Sequence, residues 1–164
     1  MHPTHEKLEL KIAVLTVSDT RTALTDQGGQ LIQKLAQQQG FLIVDYKIVQ
    51  DEPEQLSEQV LAWCHNPHID AIISTGGTGF TPRDVTYDTI AQLFEKEMTG
   101  FGELFRLLSY EEIGARAMFS RATAGCLLQT AIYLLPGSTN AVKLGMEKLI
   151  LPTIQHFVGE LHRQ

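Results

Sequence analysis

The chain is poor in cysteine, tryptophan and proline, with two, one and six of them in 164 residues. Neither Cys64 nor Cys126 stands in a metal-like or redox-like spacing, which argues against a disulfide framework, a zinc ribbon or a thioredoxin-type site. Both are read as buried thiols. Cys64, His65 and His68 fall where a helix ends, and Pro67 interrupts them, so a polar helix end is expected there rather than a metal cluster. Positive charge is also scarce: 13 Lys and Arg stand against 19 Asp and Glu, a formal charge of −6. That balance argues against a general basic surface for nucleic acid, and an anionic ligand needs a local site. No apolar run approaches the roughly 20 residues of a membrane span. The opening MHPTHEKLEL lacks the apolar core of a signal peptide. A cytoplasmic protein with neither nucleic-acid nor membrane partners is expected, as one domain over residues 1–164 with a flexible N-terminus at 1–9.

What is present is an alternation. KIAVLTV (Lys11 to Val17), FLIVDYKIV (Phe41 to Val49) and IDAIIST (Ile69 to Thr75) are short apolar runs rich in β-branched residues and predict strands. Between them, DQGGQLIQKLAQQQG and PEQLSEQVLAWCH carry apolar residues at helical spacing. A β-α-β-α-β order predicts right-handed crossovers, a parallel sheet covered on both faces, and ligand binding at the carboxyl ends of the strands. Further on, YDTIAQLFEKEM and GFGELFRLLSYEEIG read as helices, and GCLLQTAIYLL as one or two strands. The stretch from Ser138 to about Leu161 reads as amphipathic, with Pro152 predicted to break or kink it.

Glycine is plentiful where the third strand ends. In IISTGGTGFTPRDVT, Gly76, Gly77 and Gly79 let the backbone approach a ligand, and consecutive N–H groups can form a nest for anionic oxygens, phosphate first. The loop is neither a Walker A motif nor a dinucleotide fingerprint, and plain turn chemistry is an alternative. Asp84 reads equally as the acid of a capping box begun by Thr81, and Asp51 as the N-cap of the helix near Pro53. Yet both aspartates follow strand ends, and two carboxylates beside a phosphate nest would hold Mg²⁺. SDT (Ser18 to Thr20) and LPGST (Leu135 to Thr139) mark two further loops. Glu97 and Glu103 bracket MTGFG, and Glu103 among Phe101, Leu104 and Phe105 is harder to explain as a solvated charge.

Together TVSDT, TGGTGFTPRDVT, EMTGFGELFR, SRA (Ser120 to Ala122) and LPGST resemble the MoaB/MogA-type molybdenum cofactor biosynthesis proteins, which are related to the gephyrin G domain. The match runs from about Lys11 to Leu161, and GFGELFRLLSYEEIGARAMFSRA looks more like the MoaB branch. The resemblance implies a three-layer α/β/α fold on a mostly parallel five-stranded sheet with one antiparallel strand, assembled as a homotrimer or homohexamer. It implies Mg-ATP-dependent adenylylation of molybdopterin with release of pyrophosphate, and a molybdate-inserting protein as a further partner. By position, Asp51 and Asp84 would be the catalytic, Mg²⁺-holding carboxylates. Ser18, Asp19, Thr75, Gly76, Gly77, Thr78, Gly79, Glu103, Pro136, Gly137 and Ser138 would bind substrate and phosphate. Some MoaB members lack both carboxylates, and a non-catalytic molybdopterin carrier is the alternative. This chain keeps both.

Overall fold

The computed structural model describes residues 8–164. Six strands form: β1 (Lys11–Val17), β2 (Leu42–Val49), β3 (Ala71–Thr75), β4 (Lys96–Met98), β5 (Thr123–Leu127) and β6 (Thr130–Leu135). The helices are α1 (Gln27–Gln38), α2 (Pro53–Cys64), α3 (Thr86–Ile90), α4 (Thr99–Ile113), α5 (Thr139–Gly145) and α6 (Leu151–Leu161). One sheet runs in the order β2-β1-β3-β6-β5-β4. β2, β1, β3 and β6 pair in parallel, and β5 runs against both of its neighbours. One reversed strand in a three-layer α/β/α fold agrees with the expectation, but the sheet has six strands instead of five.

The extra strand is β4, taken from a segment whose apolar spacing reads as helix. The helical period ends at Leu93, after a short 3₁₀ turn, and Phe94 turns extended with ψ 134°. Lys96–Met98 then pair antiparallel with β5, which gives their backbone groups partners that a short exposed helix end would leave to water. The hairpin joining β5 to β6 turns on Leu128 and Gln129, both at positive φ, with neither glycine nor asparagine to announce it.

Strand side chains alternate between two cores. Ile12, Val14, Ile73 and Tyr133 pack beneath α1, α4, α5 and α6; Ala13, Leu15, Ile72 and Ile132 pack beneath α2 and α3. Pro152 neither ends nor splits the last helix. A π-helical turn at Met146–Ile150 leads directly into α6, and Pro152 falls in the first turn of that helix, where its missing N–H is tolerated.

The expectation of a flexible N-terminus falls on residues 1–7, outside the described ones, and on exposed Leu8 and Glu9. Among the described residues no helix is long and apolar enough to cross a membrane. From β1 the chain passes through α1 to β2 on one side, and from β2 through α2 to β3 on the other. The carboxyl ends of β1 and β3 therefore flank the point where the strand order reverses, the place where open α/β sheets take ligands.

Candidate functional site

Four strand ends meet at this point. Ser18 and Asp19 follow β1, Asp51 follows β2, Gly76–Gly79 follow β3, and Pro136–Ser138 follow β6; all line one cleft of about 680 Å³, together with Thr75, Asp26 and Asp84. Glu103 is the exception. Phe101, Gly102 and Phe105 take the buried face of α4, which leaves Glu103 exposed on the outside and away from the cleft lining.

The glycine loop is shaped by close approach. Gly76 and Gly77 have φ of +100° and +73°. A Cβ on Gly76 would lie 2.3 Å from the Val17 carbonyl oxygen, and one on Gly77 2.1 Å from Thr86 Oγ1. Buried Thr86 locks the turn: its Oγ1 donates to the Gly76 carbonyl at 2.9 Å and its N–H to that of Gly77 at 3.0 Å. Among the described residues the amides of Gly77, Thr78 and Gly79 have no protein acceptor, which leaves donors for an anion. Arg121 braces the outer side, with Nη2 donating to the carbonyls of Gly79 and Asp84 at 3.0 and 3.1 Å and Nη1 to Asp88 at 2.8 Å.

The two aspartates depart from their capping readings. The N-cap of α2 is Glu52, without a side-chain cap bond, so Asp51 is released from that duty. Its carboxyl is nearly buried and packs by Gly77; an added Gly77 Cβ would lie 3.3 Å from Asp51 Oδ1. Burial, then the negative charge of Asp19, pushes the Asp51 pKa above the usual carboxylate value; Arg83 opposes this and Asp84 adds to it. Asp84 accepts from the N–H and Oγ1 of Thr81 at 3.0 and 2.8 Å, and its own N–H donates to the Thr81 carbonyl. This is a closed turn rather than a capping box, because α3 does not start until Thr86.

Asp19 serves as an anchor. Arg83 grips it with Nε and Nη2, each at 3.0 Å, while Nη2 also donates to Glu52 at 2.9 Å. The Asp51 N–H donates to Asp19 Oδ1 at 3.1 Å. The guanidinium and this amide hold the Asp19 carboxyl below the usual range. Three loops, after β1, β2 and β3, are thus joined by one arginine. Buried Asp26 caps α1 by accepting from the Gly29 N–H at 3.0 Å, and it also accepts from Thr16 Oγ1 at 2.6 Å and from the Tyr46 hydroxyl. Burial and that carboxylate push the Tyr46 phenol upward.

Three further side chains expected on phosphate, those of Ser18, Thr75 and Ser138, are engaged within the loops. Ser18 Oγ accepts from the amides of Thr20 and Arg21, Thr75 Oγ1 donates to the Pro136 carbonyl at 2.8 Å, and Ser138 caps α5. The residues that reading the sequence missed are Arg83, Arg121, Thr86 and the Tyr46–Asp26 pair. The first three lie inside or beside the quoted motifs, but nothing local shows that Arg83 reaches a carboxylate 64 positions away.

Comparison with known proteins gives the same direction. The family model described as a probable molybdopterin binding domain matches residues 13–156. The chain is 44% identical to molybdenum cofactor biosynthesis protein B of Bacillus cereus, covering 99% of this chain and 97% of that protein. It is 48% identical to the protein of the same name from Bacillus subtilis, over 94% and 91%. A crystal structure of molybdenum cofactor biosynthesis protein B superposes with a TM-score of 0.93 at 46% identity, over 96% of this chain and 98% of that one. The tungsten cofactor synthesizing protein MoaB of Pyrococcus furiosus does so with 0.79 at 37%, over 94% and 98%. The chain belongs to this molybdenum cofactor biosynthesis family.

Proposed function

We propose that the protein acts in molybdenum cofactor biosynthesis by adenylylating molybdopterin with Mg-ATP. An oxygen of the pterin's terminal phosphate attacks the α-phosphorus of ATP, a phosphoanhydride bond forms, the bond to the β-phosphate breaks, and pyrophosphate leaves. The attacking phosphate is already anionic, so the site needs alignment and charge compensation more than a base. The observation that carries this reading is the meeting of Asp51 and Asp84 with a loop of unpaired amides in one cleft large enough for a nucleotide.

The carboxylates fit a magnesium ion that arrives with the triphosphate. Among the described residues no three acidic, histidine or cysteine side chains form a metal cage, and Mg²⁺ is commonly held by one or two carboxylates together with substrate phosphates. Asp51 is destabilised by its burial and by two neighbouring carboxylates, a strain that a cation relieves. Asp51 and Asp84 would hold the ion, which would offset charge on the triphosphate. The protein's own share is binding and orientation. The Gly77–Gly79 amides take phosphate oxygens, Thr86 and Arg121 keep the loop in shape, and Arg83 sets Asp19 and the Asp51 backbone.

The experiment is pyrophosphate release from Mg-ATP by the purified protein, with and without freshly released molybdopterin, beside Asp84→Asn. Release that requires pterin and is lost in the variant supports the reading. Pterin binding without release makes the protein a carrier, and full turnover by Asp84→Asn removes that residue from the chemistry.

Assembly as a trimer or hexamer belongs to the same proposal. Leu104, Leu107, Tyr110 and Ile113 expose an apolar stripe at three-residue spacing along α4, a face that a second copy would cover. Sedimentation velocity tests it, and a monomer at micromolar concentration would refute it. The two free buried thiols suit the reducing cytoplasm, and the adenylylated product would pass to a molybdate-inserting protein.

A further inference from the structure

The rim of the cleft holds two large aromatic side chains that the core does not use. Phe80 directly follows the glycine loop and is 68% exposed; Phe119 is 58% exposed and lines the cleft itself. Their ring centres lie 6.4 Å apart at 78°, so the two rings form an open corner. Phe80 is held in place on one side by the Arg121 guanidinium, 5.1 Å from its ring centre. Arg121 in turn is fixed to the carbonyls of Gly79 and Asp84. The corner is therefore built onto the same frame as the phosphate loop. A cleft of about 680 Å³ also has room for far more than a phosphate.

We propose that Phe80 and Phe119 are the seat for the flat nitrogen heterocycle tethered to the phosphate that the Gly76–Gly79 loop holds. One ring offers its face and the other its edge, the geometry in which a fused heteroaromatic stacks on one and packs against the other. Exposed aromatics next to a charged groove bind bases in this way with little regard for identity, because every such ring has a π-face. The proposal rests on the adenylylation reading, in which the pterin and the adenine both have this chemistry. The ligand arms below separate them.

The test is isothermal titration of the full-length protein, as Phe80→Ala, Phe119→Ala and Phe119→Trp beside the native chain, with Mg-ATP, a pterin monophosphate and inorganic phosphate. Either alanine variant is expected to weaken at least one heterocyclic ligand about 5- to 100-fold. Phe119→Trp is expected to restore binding, inorganic phosphate to be unaffected, and sedimentation to be unchanged. The ligand that weakens identifies which ring sits there. Native affinity of both alanine variants for both heterocycles overturns the seat while leaving the adenylylation reading intact. An equal loss for inorganic phosphate, or a changed sedimentation coefficient, overturns it in favour of a packing role. Failure of the native protein to bind either heterocycle overturns both readings.

Discussion

The two ends of the sheet carry similar residue types and use them differently. At the end away from the cleft, a cavity of about 330 Å³ is lined by Cys64, His65, Asn66, Thr130 and His162, a set that by composition alone resembles a metal or redox site. Two of its polar groups, His65 and Asn66, bond to near neighbours. His65 Nδ1 meets the Leu61 carbonyl at 2.8 Å and the Asn66 side chain accepts from the His68 N–H at 2.9 Å, both within four residues. Burial pushes the Cys64 thiol up to about 11, which keeps it protonated and unreactive near neutral pH. At the carboxyl end local turn bonds are joined by long-range ones: Asp19 to Arg83, Glu52 to Arg83 and Arg121 to Asp84. One carboxylate there, Asp51, is left where its charge is unfavourable. Uncompensated charge held among contacts between distant segments is the pattern expected of a functional site, and only the carboxyl end carries it.

The comparison breaks most visibly at the aspartates. Asp51→Asn or Asp84→Asn is expected to lower pterin-dependent pyrophosphate release by about 10²-fold or more, as read by a coupled phosphate assay. Asp51→Asn should not lower the melting temperature. The folded chain binds the Asp51 proton more tightly than the unfolded chain does, so ionising that group costs stability as pH rises from the ordinary value of 3.8 toward the raised one. The variant is then at least as stable as the native protein at pH 7 without magnesium. The difference should vanish in acid, and thermal melts across pH 3 to 8 test that sign.

Glycine substitutions sharpen the contrast next. Gly77→Ala places a methyl 2.1 Å from Thr86 Oγ1 at φ +73°, whereas Gly40→Ala meets nothing within 4 Å at φ +85°. Both carry the strain of a left-handed alanine, about 1–2 kcal/mol, but only Gly77→Ala should also abolish phosphate binding. Equal ligand affinity in the two variants would show that the loop does not grip phosphate. Arg83→Ala should leave the melting temperature almost unchanged, since the guanidinium is exposed, yet slow turnover by releasing Asp19 and the loop carrying Asp51. Smallest of all, Cys64→Ala should leave ligand binding untouched, and the native thiol should resist iodoacetamide at pH 8 until the chain unfolds.

Much of this was legible in the sequence because it rests on local patterns. The bounds of β1 and the helix begun at Pro53 follow from periodicity and from residues with a fixed conformational habit. Twelve of the thirteen residues expected at the site line one cleft, for a related reason: strand ends in a parallel sheet lie on the same side. The readings that changed depend on contacts. β4 exists because β5 offers Lys96–Met98 a backbone partner, and Leu128-Gln129 turns because the two strands it joins demand a positive-φ pair. Glu103 faces outward because two phenylalanines claim the buried side of α4.

By itself the amino-acid order determined the alternation of strands and helices, the placement of acids and glycines at strand ends, and the resemblance that named the family. Those are properties of spacing and side-chain type, readable over a few residues. Tertiary structure alone decided that Asp51 is buried beside Gly77 while Asp19 is clamped by Arg83. It also decided that Arg121 joins the glycine loop to the aromatic pair at the rim. The reason is electrostatic and steric at once. A carboxylate's charge state and an arginine's partner depend on what lies within a few ångströms, and the hydrogen bonds that fix Asp19, Arg83 and Arg121 at this cleft reach segments 31 to 64 residues away in the chain.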